Sequence, residues 1–381
     1  YQGAEGEPAG GKEQFESQAG SDHKASDDNK PGDLVRVYRL EQRRRCGRRP
    51  RIIARLHEGP PMNHGAVGIP VRTAVIGVGY LGRFHAQKYA QLPQSRLIGV
   101  VDRNTAAAAK VAAETGCEVV ADVRSLLGRV EAVSIAVPTP AHFEIAKLCL
   151  EHGVHVLVEK PITTTVEEAQ TLIELARKQG CVLQVGHLER FNPAIVAAAK
   201  VLTRPRFVES HRLAPFKARG TDVSVVLDLM IHDIDLIQEL VGAPIESIDA
   251  IGSNVFTPEI DIVNARLRFA GGCIANTTAS RISLKQERKI RIFQDDAYLS
   301  IDLQQKVLSI VRKKGDVPVE SVAQVVIEEQ SFEQGDALLD EIASFLAVVR
   351  NGGKPVVTGE DGLRALQTAL RITEHVLGQR Q

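Results

Sequence analysis

The chain reads as an α/β unit followed by an α+β unit carrying a large, open, mostly antiparallel sheet. From Val71 to Val185 short, continuous apolar strands alternate with helical stretches, the pattern of a parallel sheet covered on both faces. Beyond residue 245 strands follow one another through short turns, and two amphipathic helices end the chain. Between the first strand and the first helix stands Gly77-Val78-Gly79-Tyr80-Leu81-Gly82. There, the three glycines permit a tight turn, close approach of backbone to a pyrophosphate, and packing of helix on strand. The first unit is therefore predicted to be a Rossmann dinucleotide-binding domain.

Thr73–Ile76 is the first strand and Tyr80–Gln91 the first helix, closed before Pro93. The N–H groups of its first turn, at Tyr80 and Leu81, face the phosphates. A second strand, 97–101, ends at Asp102, twenty residues beyond Gly82, where an acidic side chain accepts from the ribose hydroxyls. Asp102 repels a 2′-phosphate and favours NAD, while Arg103 beside it keeps NADP open. The bland reading of Asp102 is a cap for a helix over 104–115.

The alternation continues with strand 118–120, helix 123–127, strand 132–136, helix 141–152, strand 155–158, helix 166–179 and strand 182–185. Thr165-Val166-Glu167-Glu168 is a capping box, and Val166, Ala169, Leu172, Ile173 and Ala176 make the buried stripe behind it. The fourth strand runs into Val137-Pro138-Thr139-Pro140-Ala141-His142, a stiff loop at the ligand edge. Pro138, Thr139 and His142 are its candidates for contact with the nicotinamide ribose, although His142 reads equally well as a helix-start residue. The fifth strand closes at Glu159-Lys160-Pro161, delivering Glu159 and Lys160 to the carboxyl edge where open α/β sheets bind ligands. Pro161 biases Lys160 towards extended geometry, and a lysine beside a nicotinamide ring is a candidate proton handler.

After Val185 the rhythm changes. Gly186-His187-Leu188-Glu189-Arg190-Phe191-Asn192-Pro193 opens a helix, with Asn192 as cap and Pro193 in the first turn. A strand over 206–212 precedes a basic loop with Arg212, Lys217 and Arg219, and a single helix is expected from 224 to 241, stopped by Gly242. Strands then read over 246–253, 261–269, 273–280, 289–294, 297–302, 306–312 and 320–328, with Gly271-Gly272 as a hairpin signal. Helices over 336–351 and 360–377 follow. These patterns divide the chain into 71–188 for nucleotide binding and 189–381 for substrate binding and oligomerisation.

In Asp228-Leu229-Met230-Ile231-His232 a carboxylate and an imidazole stand four apart, on one helical face. Asp228 is expected to fix the tautomer of His232. Arg190, Arg212, Lys217 and Arg219 flank the expected cleft, and guanidinium forks suit phosphate oxygens. Asn192 is either a substrate contact or merely a cap.

Lys+Arg and Asp+Glu both number 47, so overall charge argues for neither nucleic acid nor membrane as partner. The charge is nonetheless uneven, with nine arginines between Arg36 and Arg55. Residues 1 to about 33 have almost no apolar content and are expected to be disordered. Met62 is the first methionine, and translation is expected to start there, leaving the first seventy residues outside the folded unit. Five cysteines lie scattered without a C-x-x-C, a pattern of free thiols in a reducing cytoplasm, with no metal site.

Together, Gly77-x-Gly79-x-x-Gly82, Asp102, Glu159-Lys160-Pro161 and Asp228-x-x-x-His232 resemble, in order, the Gfo/Idh/MocA oxidoreductase family of sugar and polyol dehydrogenases. The resemblance spans residues 71 to 379. It implies a catalytic Lys160 with Asp228 and His232, cofactor contacts that include Glu159, Lys160 and His187, and a homodimer or homotetramer. The stretches 186–193 and 211–216 are similar to a nucleotide-sugar branch of the family. That likeness implies NAD-dependent oxidation of the 3-hydroxyl of UDP-N-acetylglucosamine to the 3-keto sugar, in lipid A biosynthesis. The alternatives are a same-family dehydrogenase for UDP-N-acetylglucosaminuronate, inositol or a free hexose, and a non-catalytic NAD-binding regulator. Either Lys160 or His232 serves as the base.

Overall fold

In the computed structural model, which describes residues 69–217, 223–315, 324–332 and 335–379, two sheets stand on separate cores. The expectations for the first 68 residues and for Arg219 lie outside the described residues. The first sheet holds β1 (Val71–Ile76), β2 (Ser95–Val101), β3 (Glu118–Val119), β4 (Ala132–Ile135), β5 (His155–Glu159) and β6 (Leu183–Gly186). All are parallel, in the order β3-β2-β1-β4-β5-β6. Every side chain of β4 and β6 is buried, as expected for strands covered on both faces. The covering helices are α1 (Tyr80–Gln91), α2 (Thr105–Thr115), α3 (His142–Glu151) and α4 (Val166–Gln179). Asn104, not Asp102, caps α2 by accepting from Ala107 N–H, and both halves of the capping box at Thr165 and Glu168 are present.

Two elements are smaller than their apolar content suggests. The helix expected over 123–127 is one 3₁₀ turn, Val123–Leu126. The third strand pairs only through Glu118 and Val119 with Gly99 and Val100, and both of its side chains are exposed at the sheet edge.

The second sheet contains β7 (Pro205–Leu213), β8 (Ile245–Ser253), β9 (Ile262–Phe269), β10 (Ile274–Ser280), β11 (Glu287–Gln294), β12 (Tyr298–Asp302), β13 (Val307–Lys313) and β14 (Val325–Ser331). Its order is β14-β13-β12-β11-β7-β10-β9-β8, with β7 and β10 parallel and the other pairs antiparallel. β14 lies some residues later than the 320–328 expected from apolar content. One face packs on α5 (Pro193–Val201) and α6 (Ile231–Val241), burying Ile195, Val208, Ile237, Leu267 and Ile290. On the other face the register aligns Ile274, Phe207, Phe293, Tyr298, Val311 and Ile327 in one apolar row across six strands. Phe293 stacks on Tyr298 with ring centroids 4.8 Å apart.

The division at residue 188 is crossed by the last two helices. Leu338, Ile342, Phe345 and Leu346 of α7 (Ala337–Asn351) are buried with Val75, Tyr89 and Leu157 in the core of the first sheet. Helix α8 (Gly359–Gly378) places Leu366 in one core and Ala365, Ala369, Ile372 and Val376 in the other. An amphipathic pattern says that a face is buried but not against which sheet, so α7 reads from sequence as part of the second unit. With Phe345 fully buried, Phe345→Ala is expected to lower the unfolding free energy by about 3–5 kcal/mol, measured by urea denaturation. An unchanged midpoint would place α7 outside that core.

Candidate active site

The glycine-rich turn has the steric logic its spacing predicts. Gly77 has φ +84°, and a Cβ on it would stand 2.7 Å from the Ala136 carbonyl oxygen. A Cβ on Gly82 would overlap the Gly77 carbonyl. The corresponding point on Gly79 has nothing within 4 Å, so the backbone is bare where a pyrophosphate approaches. No side chain caps α1, and its first N–H groups, from Tyr80 and Leu81 onward, remain for phosphate oxygens. The Tyr80 ring lies exposed, edge-on to Phe84.

Asp102 accepts from Val78 N–H at 2.7 Å and Asn104 N–H at 2.8 Å, one bond on each oxygen. A carboxylate has about four acceptor positions, so lone pairs remain for ribose hydroxyls, with Arg103 exposed beside it. Pro138 and Thr139 begin a 3₁₀ turn at the end of β4. His142 is the first residue of α3, the second of its two expected readings. It is buried, with Nδ1 2.9 Å from the Pro161 carbonyl and Nε2 2.9 Å from that of Val137, and so ties two edge loops together.

β5 ends at Glu159, and the chain turns through a cis Lys160–Pro161 bond. The Lys160 side chain, 18% exposed, crosses to the second unit: Nζ donates to the Asp228 carbonyl at 2.7 Å and stands 3.7 Å from Asp228 Oδ1. Burial lowers the pKa of this ammonium, against the charges of Asp228 and Glu159, which raise it. The rings of His187 and His232 meet edge to face with centroids 6.4 Å apart. Among the described residues, neither nitrogen of His187 has a hydrogen-bond partner, nor has His232 Nδ1, and all three are buried. Burial lowers both imidazoles, and the Lys160 charge adds to the effect; His232, facing Arg212 as well, falls well below 6.5. Both rings are thus neutral at pH 7. Such orphaned nitrogens suit a site that takes a polar ligand.

The expected pairing of Asp228 with His232 is not formed. Residues 226–230 make a π-turn, in which Ile231 N–H reaches back to the Val226 carbonyl, five residues away. The extra residue removes the i, i+4 relation on which that pairing relied. Among the described residues, no hydrogen bond joins the two side chains, and the Asp228 carboxylate faces Lys160 instead.

Two of the expected phosphate ligands are also engaged elsewhere. Arg190, 2% exposed, forks onto Asp235 at 2.6 and 2.7 Å and reaches Glu239 at 2.9 Å. Arg212 bonds Asp233 at 2.8–3.1 Å and Glu189 at 3.0 Å. Although burial disfavours each guanidinium, the facing carboxylates raise both pKa values above the ordinary arginine range. Asn192 caps α5 at Ala194 N–H and donates to the Leu303 carbonyl, so its amide is spent on structure. Lys217 remains exposed. The site gains Arg288 of β11, in register with Arg212, about half exposed and close enough for its charge to depress His232. Nothing local in the sequence marks Arg288; its place comes from strand register. A cavity of about 1000 Å³ opens beside His155 and Leu183, where β5 and β6 begin, and so lies at the opposite edge from these groups.

A six-stranded parallel sheet with a bare glycine turn, joined at its carboxyl edge to a lysine and two neutral histidines, defines a nucleotide-dependent oxidoreductase. Residues 71–187 match the oxidoreductase family with NAD-binding Rossmann fold, and 197–300 match the Gfo/Idh/MocA C-terminal domain. The chain is 42% identical over 306 residues to UDP-N-acetylglucosamine 3-dehydrogenase of Acidithiobacillus ferrooxidans, covering 80% of this chain and 96% of that protein. A solved structure of that enzyme aligns with TM-score 0.78 over 82% of this chain and all of that one. The chain is also 28% identical to scyllo-inositol 2-dehydrogenase (NAD(+)) of Bacillus subtilis, over 80% and 93% of the two chains. It belongs to the Gfo/Idh/MocA oxidoreductase family.

If Arg190 is structural, Arg190→Met strands two buried carboxylates. The expected result is a loss of about 3–5 kcal/mol in unfolding free energy, with an unchanged substrate KM. A raised KM at unaltered stability would restore Arg190 to the binding surface.

Proposed function

We propose that this chain oxidises the 3-hydroxyl of UDP-N-acetylglucosamine to the 3-keto sugar, with NAD as cofactor, in a cytoplasmic pathway of the lipid A 3-amino-sugar type. The observation that carries the reading is the meeting of Lys160, His187 and His232 at the carboxyl edge of β5. Its substrate rests on the 42% identity to an enzyme named for that reaction, almost all of which the chain covers. Four free cysteines, Cys117, Cys149, Cys181 and Cys273, suit a reducing compartment.

Bound NAD⁺ supplies the acceptor for the hydride that leaves the carbinol carbon. Gly79 and the open first turn of α1 would hold its pyrophosphate and Asp102 its ribose, with Pro138 and Thr139 as the contacts proposed for the nicotinamide end. His232, neutral and desolvated, takes the hydroxyl proton as the C–O bond becomes a carbonyl, while Lys160 donates a hydrogen bond to the same oxygen. Asp228 holds Lys160 from the far side through its backbone carbonyl and carboxylate. Among the described residues, Lys217 and Arg288 are the cations left for the UDP phosphates.

A second copy of the chain covers the apolar row from Ile274 to Ile327, giving a homodimer or homotetramer. Phe293→Glu is expected to shift the assembly to monomer in light scattering; an unshifted mass would remove this face as the interface.

For Lys160→Met, turnover of UDP-N-acetylglucosamine is expected to fall by about 10²–10⁴-fold, with NAD affinity retained in a fluorescence titration. Wild-type turnover by this variant would defeat the mechanism. A substrate panel in which inositol or a free hexose outruns the nucleotide sugar would move the chain to the polyol branch, to which the Bacillus subtilis relative belongs.

A further inference from the structure

Behind the catalytic edge, on the side away from substrate, runs a line of buried polar groups. Tyr89 of α1 places its hydroxyl 2.9 Å from Ser134 Oγ, and Ser134 Oγ lies 3.1 Å from His85 Nδ1. His85 Nε2 lies 3.0 Å from Glu159 Oε1, and the other Glu159 oxygen accepts the backbone N–H of Lys160 at 3.3 Å. Tyr89, Ser134 and His85 are fully buried, and Glu159 is 9% exposed. Room for the carboxylate comes from Gly186, where a Cβ would stand 2.9 Å from it.

The chemistry of these atoms gives the line a direction. A carboxylate only accepts, so His85 carries its proton on Nε2 and donates. In that tautomer Nδ1 accepts from Ser134, whose oxygen accepts from Tyr89. Every donor meets an acceptor with no water required.

Burying polar groups is costly unless they are satisfied, and each partial network is worse than an apolar core. Here three residues from α1 and β4 are committed to one carboxylate of β5 that is adjacent in sequence to Lys160. We propose that His85 is a positioning residue for the reaction: by fixing the Glu159 carboxylate beneath Lys160, it sets the charge and direction of the catalytic ammonium from inside the sheet. This rests on the catalytic reading of Lys160 given above.

The surroundings make His85 the decisive partner. Facing Glu159 are His85, the Lys160 charge and the imidazoles of His142 and His187, together with Glu341 of α7. Among the described residues neither oxygen of the buried Glu341 is bonded, and burial first, then Glu159, pushes its pKa well above the usual carboxylate range. Without His85, Glu159 Oε1 loses its buried partner and the carboxylate, kept only by the Lys160 N–H, is no longer fixed beneath Lys160, which takes its charge away from the ammonium. Facing Lys160 are Asp228, Glu159, Arg212 and the two neutral histidines. Loss of the Glu159 charge removes one of the two anions that raise the lysine against burial, so the Lys160 pKa falls.

The test compares His85→Leu, His85→Asn (a buried amide too short to reach Glu159), His85→Gln (long enough to reach it) and Glu159→Gln. In cofactor-free protein the pH midpoint for acetylation of Lys160 by acetic anhydride is read by peptide mass spectrometry. The Leu, Asn and Glu159→Gln variants are expected to lower that midpoint by about one pH unit, and His85→Gln to restore it. Turnover should fall about tenfold or more in the same three variants, with NAD affinity unchanged in the two His85 variants. Combining His85→Leu with Glu159→Gln should add nothing further. A wild-type midpoint in both His85→Asn and His85→Leu, or fully additive shifts in the double variant, would overturn the proposal. If the leucine variant does not fold, the asparagine variant decides alone. The midpoint needs no turnover, so it stands apart from the Lys160→Met result, which judges the catalytic reading itself.

Discussion

The hydrogen bond from Lys160 Nζ to the Asp228 carbonyl joins the two halves of the site, and the surrounding architecture makes it available. The donor comes from the end of a parallel strand and the acceptor from a helix entering the second unit. An α-helical Asp228 would spend its carbonyl on the N–H four residues on. The π-turn over 226–230 shifts that pairing to five residues, as Ile231 shows with Val226. It also turns the Asp228 carboxylate towards the lysine rather than towards His232. One inserted residue in a helix thus decides which side chain is held and which is left unpartnered.

The same helix sets the electrostatics. Asp233 and Asp235 lie on α6 directly after His232, with Glu239 one turn further, and each is buried against Arg212 or Arg190. Two buried guanidinium ions beside a basic imidazole would otherwise make the region strongly cationic. Their acidic partners localise that charge, yet Arg212 still adds to the lowering of the His232 pKa that burial and then Lys160 cause. Such pairs contribute less to stability than their contacts suggest, because desolvation offsets attraction. Their value here is geometric: Arg212 ties Glu189 to Asp233, and Arg190 is held by Asp235 and Glu239, which joins the segment after β6 to the helix that carries His232.

Much of the first half was legible because its signals are local. The Gly77–Gly82 spacing, the capping box at Thr165 and the strand-end position of Asp102 each depend on neighbours within about one turn or one βα unit. Lys160 was legible for the same reason, standing at the end of an apolar strand. Arg190 and Arg212 were misread because a basic residue near a cleft looks alike whether it meets phosphate or carboxylate. The difference lies in α6, tens of residues away in sequence. The π-turn was invisible, since nothing in Val226–Met230 breaks a helical pattern. Helix α7 was placed on the wrong core because amphipathicity carries no address.

What the second unit withholds from His232 it supplies to Lys160, and the contrast sets their roles. The lysine has a negative carboxylate on each side, Asp228 from the π-turn and Glu159 from β5, opposing the cost of burial. The histidine has cations on its near sides, Lys160, Arg212 and Arg288, which add to that cost. Removing a proton from an alcohol while a hydride departs needs one group ready to accept and another ready to donate. A neutral imidazole and a held ammonium satisfy that division without either being unusual in itself. Had the carboxylate of Asp228 faced His232, as helical spacing implies, the histidine would be drawn towards its charged form and the lysine would lose an anion. In the proposed mechanism the π-turn therefore positions both groups, the held ammonium and the neutral imidazole.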